Sequence, residues 1–320
     1  MAEQVFSARR VPALAPGSPE WLKMVTASKM ASIMRLNPKD WESRYSLWHR
    51  MKGNIPISVN EPDMSVVEAG NLLEPAIAEW WARRHPDYRV QSGGFWVWRE
   101  NDRVAVSPDR MAQHRENKTW LPLELKTARY EDDWGAEMSN DIPIHYLVQV
   151  LLQMAVLGVD EIAVVCLTAF FDFREYRIKR EDFEEDLRLV KREAVAFLES
   201  LDHDIEPDLI HDNSTYLALR HRHPEIIDEP IYCEPSLAHE LAEAIRASEA
   251  AEEALTTVKV KIADHMGQYR RLVVQPAEEG GKAVKVGHRQ TGQTPIPYFV
   301  ANKRVLKTYT MEETNESASN

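Results

Sequence analysis

The sequence predicts an α/β fold in which a mixed central sheet is covered on its faces by helices. Three observations predict it. Strand-like segments at about 88–98, 103–107, 121–127, 161–168 and 173–179 are preceded, interrupted and followed by segments with helical spacing. In Leu123-Glu124-Leu125-Lys126 the two-residue period puts both leucines on a core face and projects Glu124 and Lys126 together from the other. The strongly apolar run from His145 to Leu157 closes on Gly158, as a helix buried against a sheet does.

Taken in order, residues 19 to 52 read as a basic helical region, with Ser43-Arg44-Tyr45-Ser46-Leu47-Trp48 on one helix. A Pro/Asn-rich connection, Ile55 to Pro62, leads into a helix whose apolar stripe is Leu73, Ile77, Trp80 and Trp81. Ser65-Val66-Val67-Glu68 reads as its capping box, and Pro75 is expected to kink it or to mark a later start. Glu74 lies beside the stripe, aimed at the rim of the core. On the apolar helix, Gln149 and Gln153 are four apart on one face, and a buried amide needs hydrogen-bond partners. An acidic helix is expected at about 181–201. Asp, His and Pro accumulate between 202 and 230 and predict a boundary. Beyond it come an Ala/Glu-rich helix from Pro235 to about Met266 and two or three short strands carrying Arg270, Arg271, Lys282, Lys285 and Arg289. The expected organisation is a principal domain over 1–205, a linker over 206–230, a helix-plus-β-hairpin appendage over 231–310 and a disordered tail over 311–320.

Composition narrows the function classes. With 320 residues, 44% hydrophobic, the chain can bury a sizeable core. Cys166 and Cys233 form no metal-ligand pattern and point to a reducing, cytoplasmic setting, and no apolar run is long enough for a membrane span. His221 and His223 lack a third ligand. The net charge of −12 is unevenly spread. Residues 1–60 hold nine Lys/Arg against four Asp/Glu, and residues 257–308 hold ten against three, local balances that attract a polyanion.

The chemistry-bearing constellation is Ser107-Pro108-Asp109-Arg110 followed, fifteen residues after Asp109, by Glu124-Leu125-Lys126. Two carboxylates and an ammonium suit a hard divalent cation such as Mg²⁺, which takes one or two carboxylates, water and substrate phosphate. The lysine would stand beside the water that attacks a phosphodiester, orienting it or meeting developing charge. A lone Leu-Glu-Leu-Lys strand or Pro-Asp turn is commonplace; the combination, in this order, carries the reading.

Glu74, Asp109, Glu124-Leu125-Lys126 and Gln149 together resemble the PD-(D/E)XK nuclease superfamily. More narrowly, residues 18 to about 200 resemble the YqaJ-type viral recombinases and lambda exonuclease. The motifs are Trp21 to Ser28, Gly70 with Glu74, Ser107-Pro108-Asp109, Leu123 to Lys126, and Tyr146 with Gln149. The resemblance implies a restriction-endonuclease-like core and two Mg²⁺ ions, with Mn²⁺ able to substitute. The ligands would be Asp109, Glu124 and the Leu125 backbone carbonyl, with Glu74 completing the site. Lys126 would position the water with support from Gln149, and Ser28 and Ser107 would help hold a DNA 5′-phosphate. It further implies 5′-to-3′ degradation of linear double-stranded DNA, 3′ overhangs for a single-strand annealing protein, and a homotrimeric ring around DNA. One departure stands out: no arginine lies between Trp21 and Ser28, where the lambda-type pattern grips the 5′-phosphate. Lys23, Lys29 or Arg35 would have to substitute, and lysine lacks the bidentate fork. Two alternatives follow, a PD-(D/E)XK endonuclease with another end or strand preference and a catalytically inactive DNA-binding accessory.

Overall fold

The computed structural model describes residues 6–39, 41–56, 64–129, 133–169, 171–275 and 283–309, with the side chains of 64–66, 304 and 308 excepted. The expectations for the 311–320 tail, for Lys282, for the Ser65 cap and for most of the Ile55–Pro62 connection lie outside these residues. The chain divides into two compact units, Met1–Ile226 and Ile227–Asn320.

The first unit contains β1 (Ala8–Val11), α1 (Pro19–Leu22), β2 (Val25–Thr26), α2 (Met30–Ile33), α3 (Arg44–Lys52) and α4 (Met64–Arg84). These are followed by β3 (Tyr88–Ser92), β4 (Phe95–Trp98), β5 (Val104–Val106), β6 (Arg110–His114), β7 (Trp120–Ala128) and α5 (Ile144–Leu157). The unit closes with β8 (Glu161–Thr168), β9 (Phe173–Lys179), α6 (Glu184–Asp202) and α7 (Asn213–Arg222). Its principal sheet runs β3-β6-β7-β8-β9, antiparallel except where β7 and β8 pair in parallel across the α5 crossover. A smaller sheet, β1-β4-β5-β2, is likewise antiparallel except for β2 against β5. The mixed α/β architecture is the one expected.

Alternation along β7 builds the two faces. Leu121, Leu123 and Leu125 pack with Ile77 and Trp81 of α4, while Glu124 and Lys126 face α5. Helix α5 is apolar nearly all round because it is buried nearly all round: Val150, Leu151, Leu152, Met154, Val156 and Leu157 join the core of β8, β9 and α6. Each such side chain stabilises the fold by about 1.5–3 kcal/mol. Gly158 ends the helix in the left-handed region at φ 74°, and Arg180 donates to the carbonyls of Met154 and Val159 just past its last turn.

Several expectations change. The single strand expected over 88–98 is two strands in different sheets, broken at Gly93-Gly94, where Gly94 has φ +79°. Helix α4 runs without interruption through Pro75, and Leu73, placed on its apolar stripe, is exposed while Ile77 and Trp81 are buried. Helix α7 lies inside the segment expected to be a linker. It is docked on α3 by a buried hydroxyl cluster, in which Ser214 Oγ accepts from the Ser43 amide at 2.9 Å and Thr215 Oγ1 meets Ser43 Oγ at 2.9 Å. Part of the N-terminal positive balance is also spent internally, since Arg44, Arg50 and Lys52 pair with Glu193, Glu42 and Asp204.

The second unit contains α8 (Pro235–Met266), a three-stranded antiparallel sheet of β10 (Arg271–Val274), β11 (Val284–Gln290) and β12 (Tyr298–Ala301), and α9 (Lys303–Thr308). Among the described residues no helix is long and apolar enough to cross a membrane.

Candidate functional site

The site forms where β7 outruns its neighbour. The β6–β7 ladder ends at the pair Arg110–Leu123, and β7 continues to Ala128. Asp109, the residue before β6, completes this edge: its amide donates to the Leu123 carbonyl at 3.1 Å and its Oδ2 accepts from the Leu125 amide at 2.6 Å. In a strand the N–H and C=O of one residue leave by the same edge, so the Leu125 carbonyl belongs to the edge occupied by Asp109.

On the face of β7 toward α5, Glu124 is only 1% exposed and its carboxylate is held by three donors. Lys126 Nζ and Gln149 Nε2 each meet Oε1 at 2.5 Å, and Gln153 Nε2 meets Oε2 at 2.7 Å. The four-residue spacing on α5 thus delivers both amides to one carboxylate. Gln153 was legible as a helix-face partner of Gln149, but only the register of α5 over β7 shows that it shares Glu124.

Burial alone would lower the Lys126 ammonium, but the charges of Glu124 and Asp109 outweigh it and hold the group protonated above the usual lysine range. Its Nζ also lies 4.9 Å from the centre of the Tyr146 ring. Burial first, and the Glu124 charge second, push the Asp109 carboxyl up to about 8, against the opposing pull of Lys126 and of the Leu125 amide. Two shielded carboxylates therefore share one ammonium, an imbalance that a divalent cation would correct. This donor set fits Mg²⁺, which needs only one or two carboxylates with oxygen donors around them. Among the described residues no three acidic, imidazole or thiol side chains converge as a ready-made cage.

Glu74 reaches the margin of this site. Arg110 Nη1 bonds Glu74 Oε1 at 2.5 Å and the Asp109 carbonyl at 2.7 Å, tying α4 to the β6 edge. Gly70, one turn earlier, passes Thr127 at the end of β7: a β-carbon there would lie 3.9 Å from the threonine hydroxyl. The carboxylate expected to complete the site is thus placed near Asp109 but engaged by an arginine that sequence reasoning passed over.

The two serines follow neighbouring strands of the small sheet. Strands β2 and β5 pair in parallel, Val25 with Val104 and Thr26 with Ala105. Beyond that pairing Ser28 lies in the 3₁₀ turn Ala27–Lys29 and Ser107 directly follows β5, so both exposed serines leave the same end of the two parallel strands. Ser28 Oγ meets Thr26 Oγ1 at 3.1 Å, and Ser107 Oγ donates to the Gly94 carbonyl at 3.1 Å. A β-carbon at Gly93 would overlap the Pro108 carbonyl, so glycine is required for this turn to lie against the Asp109 loop. At Gly94 a β-carbon would meet the guanidinium of Arg10, an exposed residue of β1. A guanidinium therefore stands beside the residue that receives Ser107, supplied by the sheet and not by the Trp21–Ser28 segment.

Of the cations expected to replace the missing arginine, Lys29 is turned inward. It is 2% exposed, donates to the carbonyls of Trp21 (3.0 Å) and Met24 (2.7 Å) and lies 3.7 Å from the centre of the Trp21 ring. Burial, with the Arg50 charge behind it, brings its ammonium down to about 7. Its role is structural: Lys29→Ala strips donors from two carbonyls and should lower stability by about 2–3 kcal/mol. Urea denaturation would show this, without a change in preference for a 5′-phosphate. Arg35, with φ 60°, pairs with Asp208 at 3.7 Å. Lys23 is exposed at the end of α1.

Residues 20–160, which carry Ser28, Glu74, Asp109, Glu124, Lys126 and Gln149, match the YqaJ-like viral recombinase domain, the family that the motifs resemble. No curated protein matches. Among solved structures, the chain is similar to an alkaline exonuclease (LHK-Exo) from Laribacter hongkongensis, with 21% identity, TM-score 0.46, and coverage of 59% of this chain and 95% of that one. The same enzyme in complex with dAMP matches at 20% identity and TM-score 0.46 over 59% and 92%. SSO0001 matches at 13% identity and TM-score 0.37 over 54% and 76%.

Proposed function

We propose that the YqaJ-like viral recombinase domain at residues 20–160 makes this chain a divalent-metal-dependent deoxyribonuclease, a 5′-to-3′ exonuclease acting on the ends of linear double-stranded DNA. The observation that carries the reading is the pair of shielded carboxylates, Asp109 and Glu124, on the free edge and inner face of one strand with Lys126 between them. Mg²⁺, or Mn²⁺ in its place, as one ion or two, would be held by Asp109, Glu124 and the Leu125 carbonyl, with Glu74 at the margin, and would supply Lewis acidity toward a phosphodiester.

This chain's own groups do the rest. Gln149 and Gln153 lock Glu124 in one rotamer, so its position does not have to be found at each turnover. Lys126 donates one proton to Glu124 and, as an ammonium, has two left. These orient an attacking water and meet charge growing on the phosphoryl oxygens. Being protonated, Lys126 does not remove the proton of that water. Ser28, Ser107 and Arg10 offer hydroxyl and guanidinium donors to a terminal 5′-phosphate, with exposed Lys23 as a further cation. Such an enzyme would leave 3′ single-stranded overhangs for a single-strand annealing protein during phage-type recombination, and a homotrimeric ring would keep it on its substrate.

The test is a time course on linear duplex DNA with 5′-phosphate or 5′-hydroxyl ends, beside closed circular DNA, in Mg²⁺ or EDTA. Mg²⁺-dependent loss of the linear duplex from its 5′ ends, with the circle spared, is expected. Arg10→Ala should narrow the preference for phosphorylated ends by about tenfold, the loss of one charge-assisted contact. Cleavage of the circle would replace this reading with an endonuclease, and no cleavage of either would leave a DNA-binding accessory.

A further inference from the structure

Helix α8 runs for 32 residues, and Leu237, Leu241, Ile245, Leu255 and Val258 along it are all exposed. Apart from Met266 at its end, it contributes no buried residue. A helix that long gains most of its stability by burying an apolar face. Its spacing states what kind of partner that face takes. Leu237, Leu241, Ala244, Ser248, Ala251, Leu255, Val258 and Ile262 recur at alternating intervals of four and three, the a/d repeat of a two-helix coiled coil sustained over more than three heptads. Ile245 and Val260 fall outside this seam, and Ile262 at its end is half-buried.

The charges choose the direction. Between 235 and 253 the helix carries Glu240, Glu243, Glu249, Glu252 and Glu253 against Arg246. Between 254 and 266 it carries Lys259 and Lys261 against Asp264. Parallel pairing would align like with like, whereas antiparallel pairing sets the acidic half against the basic half. One antiparallel register satisfies both seam and charge. It layers Leu237 on Ile262, Leu241 on Val258, Ala244 on Leu255 and Ser248 on Ala251, so that the small residues meet at the centre, where the helix axes can approach closely. The same register brings Glu240, flanking the seam, to Lys261 of the other helix, and two-fold symmetry repeats every pair.

We propose that α8 is a dimerisation helix whose occupant is α8 of a second copy of this chain, paired antiparallel in this register. The inference rests on α8 alone and is independent of the nuclease reading. Sedimentation velocity on the full chain, from about 1 to about 100 μM, is expected to show the mass of the smallest species, one chain or one ring, at least doubling with concentration. The pair Leu241→Asp and Val258→Asp removes that doubling and leaves the smallest species intact. Lys261→Glu turns two opposite-charge contacts into two like-charge ones and raises the dissociation constant about tenfold. Adding Glu240→Lys to Lys261→Glu restores it to within about threefold of the original, which an unfolded helix would not do. A mass that stays constant with concentration for the unaltered chain would overturn the proposal, as would a doubling indifferent to the two aspartates. Failure of the charge swap to rescue would overturn the antiparallel register.

Discussion

Asp109→Asn is expected to lower hydrolysis of linear DNA by about three orders of magnitude and, without divalent cations, to make the protein more stable at pH 8 but not at pH 4. The first effect follows from removing a charged ligand and electrostatic contact at the reacting centre. The second follows from linkage. The Asp109 carboxyl is held up to about 8 in the folded protein, above its ordinary 3.8, by burial and by the Glu124 charge. The folded state therefore keeps a proton that the unfolded state releases. Stability is fully present below about pH 4 and is lost progressively as the pH rises toward 8. Asparagine cannot ionise and escapes that loss, by about 2 kcal/mol or more at pH 8, given about 1.4 kcal/mol per pH unit of separation. Thermal unfolding of both proteins in EDTA from pH 4 to 9 would check it: parallel curves would remove Asp109 from the shielded pair. Mg²⁺ at a hundredfold excess over its dissociation constant should then stabilise the unaltered protein by about 2.7 kcal/mol and the variant far less.

Lys126→Ala is expected to abolish cleavage and also to cost about 3–5 kcal/mol of stability. Its ammonium is the counter-charge of a carboxylate that is 1% exposed, and breaking such a pair leaves an uncompensated buried charge. The strand period shows only that Glu124 and Lys126 share a face; burial of that face against α5 is what adds the stability cost. The double variant Glu124→Gln with Lys126→Met separates the two effects. It removes both charges, keeps similar volumes and should recover most of the lost stability while remaining inactive by about 10²–10⁴-fold or more. Urea midpoints and single-turnover cleavage read the two quantities independently. A stable, active Lys126→Ala would remove the lysine from the chemistry.

The elements most legible in the sequence were those whose pattern is local. The alternation in 121–127, the apolar run closed by Gly158 and the strands at 161–168 and 173–179 are all present near the expected limits. Strands β1 and β2 were not foreseen, because each has four residues or fewer and pairs with a strand far along the chain, and β6 and α7 were missed as well. The split of 88–98 shows the same thing. Two glycines look like an ordinary weak point in a strand, and only the overlap of Gly93 with the Pro108 carbonyl shows that they hold one sheet against the loop of another.

By itself, then, the sequence determined the α/β class and the sharing of one face by Glu124 and Lys126 and of another by Gln149 and Gln153, since spacing along helices and strands decides which side chains share a face; their grouping with Glu74 and Asp109 came from the resemblance. It also determined the heptad seam of α8. Tertiary structure alone decided which neighbour each of these groups meets. It gave Glu124 a third donor in Gln153, gave Glu74 to Arg110, turned Lys29 onto two carbonyls and brought Arg10 across from another strand to the residue that receives Ser107. Hydrogen bonds and ion pairs between residues far apart in the chain depend on strand register and helix packing angle, and those are settled only when the whole core is packed.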